Sequence, residues 1–311
     1  MKKFVLYILT IAMIVSIAGT CFACSSKNET AATPTATQTT TATTTATPTA
    51  IPSVNGSRVR VATTTSLYDT GLWTYLKPMF EEQYNLHLDI TSQGSGAAVN
   101  LSKTGDVDVM AVHSKAAELQ FVADGYGVER IPFAYNYFVI VGPASDPAGI
   151  SGMNASNAFK QIATYGITQF VSRGDNSGTH TAEKNVWKGA GLNYSEISAS
   201  SWYVSAGKGM GDTLFMASEL GAYTLSDKGT YLSYASNMSL TILVEQGKEL
   251  LNVYSVIAVN QSRFSWINIA GANDLIEFMT SNETQQLIAD YGVDTYGQSL
   301  FFPCFGNEPT Q

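Results

Sequence analysis

Along this chain, short apolar runs end in polar clusters, and each cluster opens a stretch whose apolar positions recur at helical spacing. Arg58-Val59-Arg60-Val61-Ala62 reads as a strand that ends in Thr63-Thr64-Thr65-Ser66. A helix follows from about Gly71 to Tyr84, with Leu72, Trp73, Leu76, Met79 and Phe80 on one side. Leu86 to Thr91 is a second strand, leading through Gln93-Gly94-Ser95-Gly96 into another helix. Val107 to Val112 is a third, ending at His113-Ser114 before a helix over Lys115–Asp124. Phe170-Val171-Ser172 repeats the pattern: strand, polar turn, then a helix beginning near Ser177. Gly207-Lys208-Gly209-Met210-Gly211 opens the helix that carries Leu214, Phe215 and Met216. Strands alternating with helices at this pace predict an α/β architecture with a mixed, mostly parallel sheet. In such sheets ligands gather beyond the carboxyl ends of the strands, and every polar motif here falls at a strand-to-helix junction.

Two apolar runs break the alternation, Tyr137 to Pro143 and Val253 to Val259. They read as two crossings between lobes. One lobe is then 57–141 plus 257–311, and the other 142–256. Discontinuous lobes joined by two crossings can hinge shut on a ligand.

The first 56 residues do not fit a core. Met1-Lys2-Lys3 is basic, Phe4 to Ala18 is almost wholly apolar, and small residues lead to Cys24, so residues 1–24 read as a signal peptide. Phe22-Ala23-Cys24-Ser25-Ser26 resembles a lipoprotein cleavage site with Cys24 as the lipidated residue. Cys21, where a leucine is usual, is the alternative site, and a retained anchor helix is the other reading. Residues 25–56 are Thr, Ala and Pro with few large apolar side chains, which predicts a disordered tether.

The folded part can bury a large core: 45% of the 311 residues are hydrophobic and only 14% charged. A net charge of −8 excludes a basic nucleic-acid stripe, so an anion held here must be held by local donors. Such donors converge in Arg173-Gly174-Asp175-Asn176-Ser177-Gly178-Thr179-His180. Ser177 is an N-cap, and the first turn after it has unpaired N–H groups at Gly178, Thr179 and His180. Gly178 lets a ligand approach, and Arg173 adds a fork of donors. Together these describe a pocket for a small oxyanion, the plain alternative being a capped helix. Asp175 is placed to pair with Arg173 or brace the turn. Thr65 and Ser66 add hydroxyl and N–H donors from the other lobe, although alone that run could be strand residues plus a cap. Gly94-Ser95-Gly96 could be a tight turn or part of the same site. His113 and His180 stand without a His-x-x-x-His or Glu-x-x-His partner among three histidines, which argues against a metal site. Gly207–Gly211 lacks the spacing of a P-loop, and no nucleophile elbow is present, so neither nucleotide binding nor a hydrolase is indicated. Beyond residue 24 only Cys304 remains, a small buried apolar residue by expectation.

These motifs resemble solute-binding proteins of ABC transporters, of the two-lobed type II kind. Arg173-x-Asp175-x-Ser177-Gly178-Thr179 is similar to the phosphate-binding branch, but an aspartate of that branch, which takes the proton of the bound phosphate, is replaced here by His113. A site without that carboxylate is expected to prefer a dianion carrying no proton. The closer resemblance, from about Arg58 to the C-terminus, is to the tungstate-binding protein family. It is carried by Thr63-Thr64-Thr65-Ser66, Gly105-Asp106-Val107-Asp108-Val109, Val112-His113, Asn136 to Pro143, Ser172 to His180 and Gly207 to Gly211. The resemblance implies an oxyanion site made by Thr64, Thr65, Ser66, Arg173, Ser177, Gly178 and Thr179, with Ser95, Gly209 and Met210 as further ligands. It implies tungstate, or molybdate, as ligand, with no cofactor, no metal ligands and no catalysis. It also implies a lipid-anchored, extracytoplasmic monomer that delivers to a permease driven by a cytoplasmic ATPase. Phosphate or molybdate reception is the alternative within the class, and a surface adhesin or structural lipoprotein the alternative outside it.

Overall fold

The computed structural model describes residues 58–310 apart from Gln246. The leader with Cys24 or Cys21 and the tether at 25–56 lie outside the described residues. The chain opens with β1 (Arg58–Thr64), α1 (Thr65–Asp69), α2 (Leu72–Tyr84), β2 (His87–Gln93), α3 (Ser95–Lys103), β3 (Val109–Val112) and α4 (Lys115–Ala123). β1 pairs in parallel with β2 on one edge, from Arg58 opposite His87 to Thr64 opposite Gln93, and with β3 on the other. α2 buries Leu72, Trp73, Leu76 and Phe80 against this sheet, the stripe the sequence spacing predicts, with Met79 partly buried beside them.

β4 (Ile131–Pro143) is six residues longer at its start than the apolar run suggested. Pro132, Tyr135 and Asn136 interrupt that run, and the extension is held by antiparallel pairing with β9 (Leu251–Ala258), Tyr137 standing opposite Leu251. Beyond Tyr137 the strand changes company. α5 (Ala155–Tyr165), β5 (Phe170–Ser172), α6 (Gly178–Gly189), α7 (Tyr194–Ser198), β6 (Tyr203–Ser205), α8 (Met210–Leu220), β7 (Thr224–Asp227), α9 (Lys228–Tyr234) and β8 (Leu240–Val244) intervene before β9. β7 and β8 pair antiparallel with Phe138–Pro143, and β5 with β6 in parallel. The chain closes with α10 (Ile269–Thr280), α11 (Asn282–Asp290), α12 (Val293–Tyr296) and the short β10 (Phe302–Pro303) along β4.

The sheet is therefore mixed, and the parallel pairing expected of most of it is confined to β1 with β2 and β3 and to β5 with β6. The reason is connectivity. A helix crossover forces parallel neighbours only when it joins strands of one sheet, whereas β9 reaches β3 and β4 from the far end of the chain and pairs with both antiparallel.

The core divides along β4. Phe133 and Ala134 pack with Val59, Val61, Trp73 and Phe278. Phe138 and Ile140, four to seven residues on, pack instead with Phe159, Phe170, Trp187 and Tyr223. The return falls on the other long strand: Leu250 belongs to the second core and Tyr254 to the first. Cys304 is buried, and burial pushes its thiol up to about 12, out of the reactive range.

Two buried carboxylates fix the two cores in different ways. Asp108, 1% exposed, accepts from the Arg60 backbone N–H, from Arg60 Nε and Nη2, and from the Asn268 N–H, at 2.7–3.0 Å. It ties β1 and β3 to the start of α10. Glu183 on α6 sits within the second core, accepting from Ser172 Oγ, Trp187 Nε1 and Tyr203 OH. Desolvation there raises it from 4.5 to about 7, against the pull of those three bonds.

Asp108→Ala leaves the half-buried Arg60 and Asn268 donors without their shared acceptor and is expected to destabilise the fold by about 1–3 kcal/mol in urea unfolding. Glu183 predicts a pH dependence. The unfolded chain releases this proton above about 4.5 while the folded chain keeps it to about 7, so stability is full below the lower value and falls as pH rises between them. Comparing unfolding at pH 5 and pH 8, Glu183→Gln should remove a loss on the order of 3 kcal/mol that the unsubstituted chain suffers.

Candidate functional site

Four helices begin at one place. α1 is capped by Thr64, whose Oγ1 accepts from the Leu67 N–H, and α6 by Ser177, whose Oγ accepts from the His180 N–H. α3 and α8 begin differently: their N-caps are Gly94 and Gly209, neither of which supplies a side-chain oxygen to the first turn. Neither glycine takes an unusual backbone angle, and a Cβ at either would come only into ordinary contact across the site. A Cβ on Gly94 would lie 3.4 Å from Asp175 Oδ2, and one on Gly209 3.9 Å from Thr65 Oγ1. Helix starts with free N–H groups, gathered on one point, make a region of positive potential without a surplus of basic residues.

Arg173 lies at the centre, 2% exposed. Its Nη2 donates to Asp175 Oδ2 at 2.6 Å and to Thr65 Oγ1 at 3.1 Å, and its Nη1 to Ser66 Oγ at 3.1 Å. Its Nε has no partner. Asp175 does both things its spacing allows, since its other oxygen accepts from the Ser177 N–H at 3.1 Å. Below the arginine, the Gly174 N–H donates to Ser172 Oγ, which in turn donates to Glu183. Gly174 takes a positive φ of 63°, and a Cβ there would fall on Ser205 Oγ, so this turn admits no other residue. The Gly207 N–H reaches the Arg173 carbonyl at 2.8 Å and draws the start of α8 to the same spot.

Contacts across the two cores complete the cluster. Ser95 Oγ accepts from the Gly178 N–H at 2.8 Å, and Ser66 Oγ lies 3.3 Å from Thr179 Oγ1. The ten residues singled out from sequence therefore fall on these four helix starts and the loop before α6. They differ in what their side chains do. The Thr65 and Ser66 hydroxyls meet Arg173, Thr179 meets Ser66, and Ser95 meets the Gly178 N–H. Thr64 and Ser177 commit their oxygens to caps, the Ser177 N–H is taken by Asp175, and Met210 buries its side chain in the core beneath, so of these three it is Met210 that has a helix-start N–H to offer.

His113 changes one expectation. It is 8% exposed, and burial pushes it down to about 4, which makes it neutral. Its Nδ1 lies 2.7 Å from Asn252 Oδ1, while the Asn252 amide nitrogen donates to Asn136 Oδ1 and Tyr254 OH. Nδ1 thus carries the hydrogen, and Nε2 is a bare lone pair with no partner. In place of the carboxylate of the phosphate-binding branch, this position presents a single uncharged acceptor. A Cβ on Gly178 would come within 2.8 Å of this ring, which is why glycine follows the cap. The other histidine is occupied elsewhere: His180 Nδ1 accepts from the Asn176 N–H, and its Nε2 meets Tyr194 OH at 2.7 Å.

Asn136 and Asn252 were not identified from sequence. The available signal is a buried asparagine facing another across two otherwise apolar strands, and it needs the register that pairs them. A cavity of about 480 Å³ adjoins the cluster, sharing His113 and Gly178 with it and extending past Lys115, Asn252 and Glu308.

Residues 29–283 match the family model of the PBP superfamily domain. A Haloferax volcanii protein provisionally named an ABC transporter anion-binding protein is 48% identical over 78% of this chain and 71% of its own. The tungstate-binding protein TupA of Peptoclostridium acidaminophilum is 43% identical, with 78% of this chain and 84% of that protein covered. The structure of the tungstate-binding protein TupA from Desulfovibrio alaskensis G20 superposes with a TM-score of 0.69 at 41% identity, covering 80% of this chain and 99% of that one. The chain belongs to the PBP superfamily and, within it, to the family of the TupA tungstate-binding proteins.

Proposed function

We propose that this protein captures tungstate outside the cytoplasm and delivers it to an ABC transporter permease. One observation carries the reading: a buried guanidinium, its Nε–H without an acceptor, stands where α1, α3, α6 and α8 begin. A buried donor of that strength calls for an acceptor, and a tetrahedral oxyanion supplies four. Thr65, Ser66, Ser95 and Thr179 donate hydroxyls, and Gly178, Gly209 and Met210 donate N–H groups. Thr64 and Ser177 hold the helix ends that aim them. No single group suffices. A charge-assisted bond contributes roughly 1.5–3 kcal/mol and a helix end about 0.3–1 kcal/mol, whereas nanomolar binding needs about −12 kcal/mol.

The donors come from both cores, so the halves that share β4 and β9 act as lobes that close on the anion. The relatives are named as binding proteins, and the serines at this site are engaged by Arg173 and by backbone N–H groups, which supports a receptor rather than an enzyme. Anchoring by a lipid on Cys24, with residues 25–56 as tether, would hold the receptor near its permease and raise the effective concentration there.

A second reading rests on His113. Its bare Nε2 can accept the proton of hydrogen phosphate, as a carboxylate does in the phosphate-binding branch, so phosphate is the competitor to exclude.

Calorimetric titration at neutral pH with tungstate, molybdate, sulfate and phosphate should give tight binding of the first two and weak binding of the last two. Phosphate as the strongest ligand would replace tungstate in this reading. Arg173→Ala should weaken tungstate binding by at least about a hundredfold, since two or more charge-assisted bonds are lost. Unchanged affinity in that variant would remove Arg173 from the site. Gly178→Ala, which places a methyl group against His113, should cost more than about tenfold in affinity while far-UV circular dichroism stays the same.

A further inference from the structure

We infer that the anion binds together with one proton, lodged between His113 Nε2 and an oxygen of the ligand, which makes His113 a specificity-determining residue. The inference rests on the receptor reading above and goes beyond it in assigning a protonation event.

The orientation of the Asn252 amide sets the tautomer. Asn252 cannot take a hydrogen from Nε2, because it meets the ring at Nδ1, and its own amide is committed to Asn136 and Tyr254. Tyr254 also stacks on the imidazole at 5.0 Å between ring centres, and Phe138 lies at 6.1 Å, so the ring is held in place. Nε2 therefore meets the start of α6, at the Cα of Gly178, as a lone pair. A fully ionised oxyanion that takes the Thr179 N–H, and the Gly178 N–H in place of Ser95 Oγ, brings a second lone pair beside Nε2. Two acceptors face to face in a dry site repel each other, and a proton between them turns the repulsion into a charge-assisted hydrogen bond. Tungstate has no proton of its own near neutrality, so this one comes from solvent. Hydrogen phosphate would bring its own.

The charged surroundings set the direction. Arg173 opposes protonation of His113 before the anion arrives, and burial holds the free ring near about 4. Lys115 on α4, and Glu249 and Glu308 from the neighbouring segments, line the cavity that His113 and Gly178 share. Tyr254 is driven further up by burial and stays neutral. A dianion at the helix start reverses the balance. The free ring is unprotonated above about 4 and the complexed ring is protonated, so affinity falls as pH rises, roughly tenfold per unit while the complex keeps its proton.

The test is calorimetric titration of the whole chain with micromolar sodium tungstate at pH 6, repeated in buffers of different ionisation enthalpy. About one proton taken up per anion is expected. In His113→Gln, and in His113→Asn as a second variant, uptake should fall to near zero with affinity lowered about tenfold. Tungstate binding with no uptake in the unsubstituted chain overturns the inference and leaves the receptor reading standing; it is the result expected if both amides are set the other way and Nε2 bears the hydrogen. Uptake that persists in both variants also overturns it, placing the proton on another group. Failure of the unsubstituted chain to bind tungstate removes the receptor reading, and this inference falls with it.

Discussion

A guanidinium enclosed in the protein with one carboxylate beside it sets the terms for everything around it. Burying a charge costs several kcal/mol unless its surroundings return the loss, and Asp175 alone, itself partly exposed, returns only part. The rest comes from hydroxyls of a different core, Thr65 and Ser66, which approach Arg173 from the end of β1. The arginine thus joins the two halves of the molecule, although it belongs to one of them by sequence. Its own position is fixed from below by the Gly174, Ser172 and Glu183 relay and by the positive φ that only glycine accepts easily at 174. Ordering so many groups around one side chain makes sense where the cation must be ready before its ligand arrives, since groups already in place cost no reorganisation on binding.

The same requirement explains the glycine at the start of α6. Backbone N–H groups serve as donors only if nothing stands in front of them, and at Gly178 a Cβ would collide with the opposite core, whereas at Gly94 and Gly209 it would only touch it at ordinary contact distance. At Gly178 the conflict would be with the His113 ring and Ser95 Oγ together. Small residues here are a condition of contact between halves. They also leave the site with a net attraction for anions in a chain whose overall charge is negative, because helix ends and one arginine act locally while the surface charges are screened by salt.

Much of this was legible in the sequence, and the reason is physical. Strand-to-helix junctions are written in short runs of adjacent residues, so Thr63–Ser66, Arg173–His180 and Gly207–Gly211 could be read without any knowledge of the fold, and the α2 stripe followed from spacing alone. What was not legible depends on register and on distant pairing. The full length of β4 escaped because Pro132 and Asn136 break its apolar pattern, and β9 supplies what the pattern lacks. The predominance of antiparallel pairing in the mixed sheet escaped because β9 arrives from the far end of the chain. Which nitrogen of His113 faces the site was not legible for a related reason. Whether a neutral imidazole donates or accepts depends on the partner of its other nitrogen, and that partner, Asn252, is 139 residues away.

That distant partner ties ligand chemistry to lobe geometry. Asn252 faces Asn136 across β9 and β4, and the chain passes from one core to the other on these same two strands. The hydrogen bond that leaves Nε2 bare is thus anchored in the crossings. A rotation of the halves that displaced Asn252 from the 2.7 Å contact would release the tautomer, and the ring could then present a hydrogen instead of a lone pair. Closure would therefore do more than bring the Gly178 N–H to Ser95. It would also set the polarity of the group that the incoming oxygen meets. A chain of three polar side chains, buried in otherwise apolar strands, makes the acceptor at the site conditional on the shape of the hinge. An aspartate at position 113 would accept in either shape.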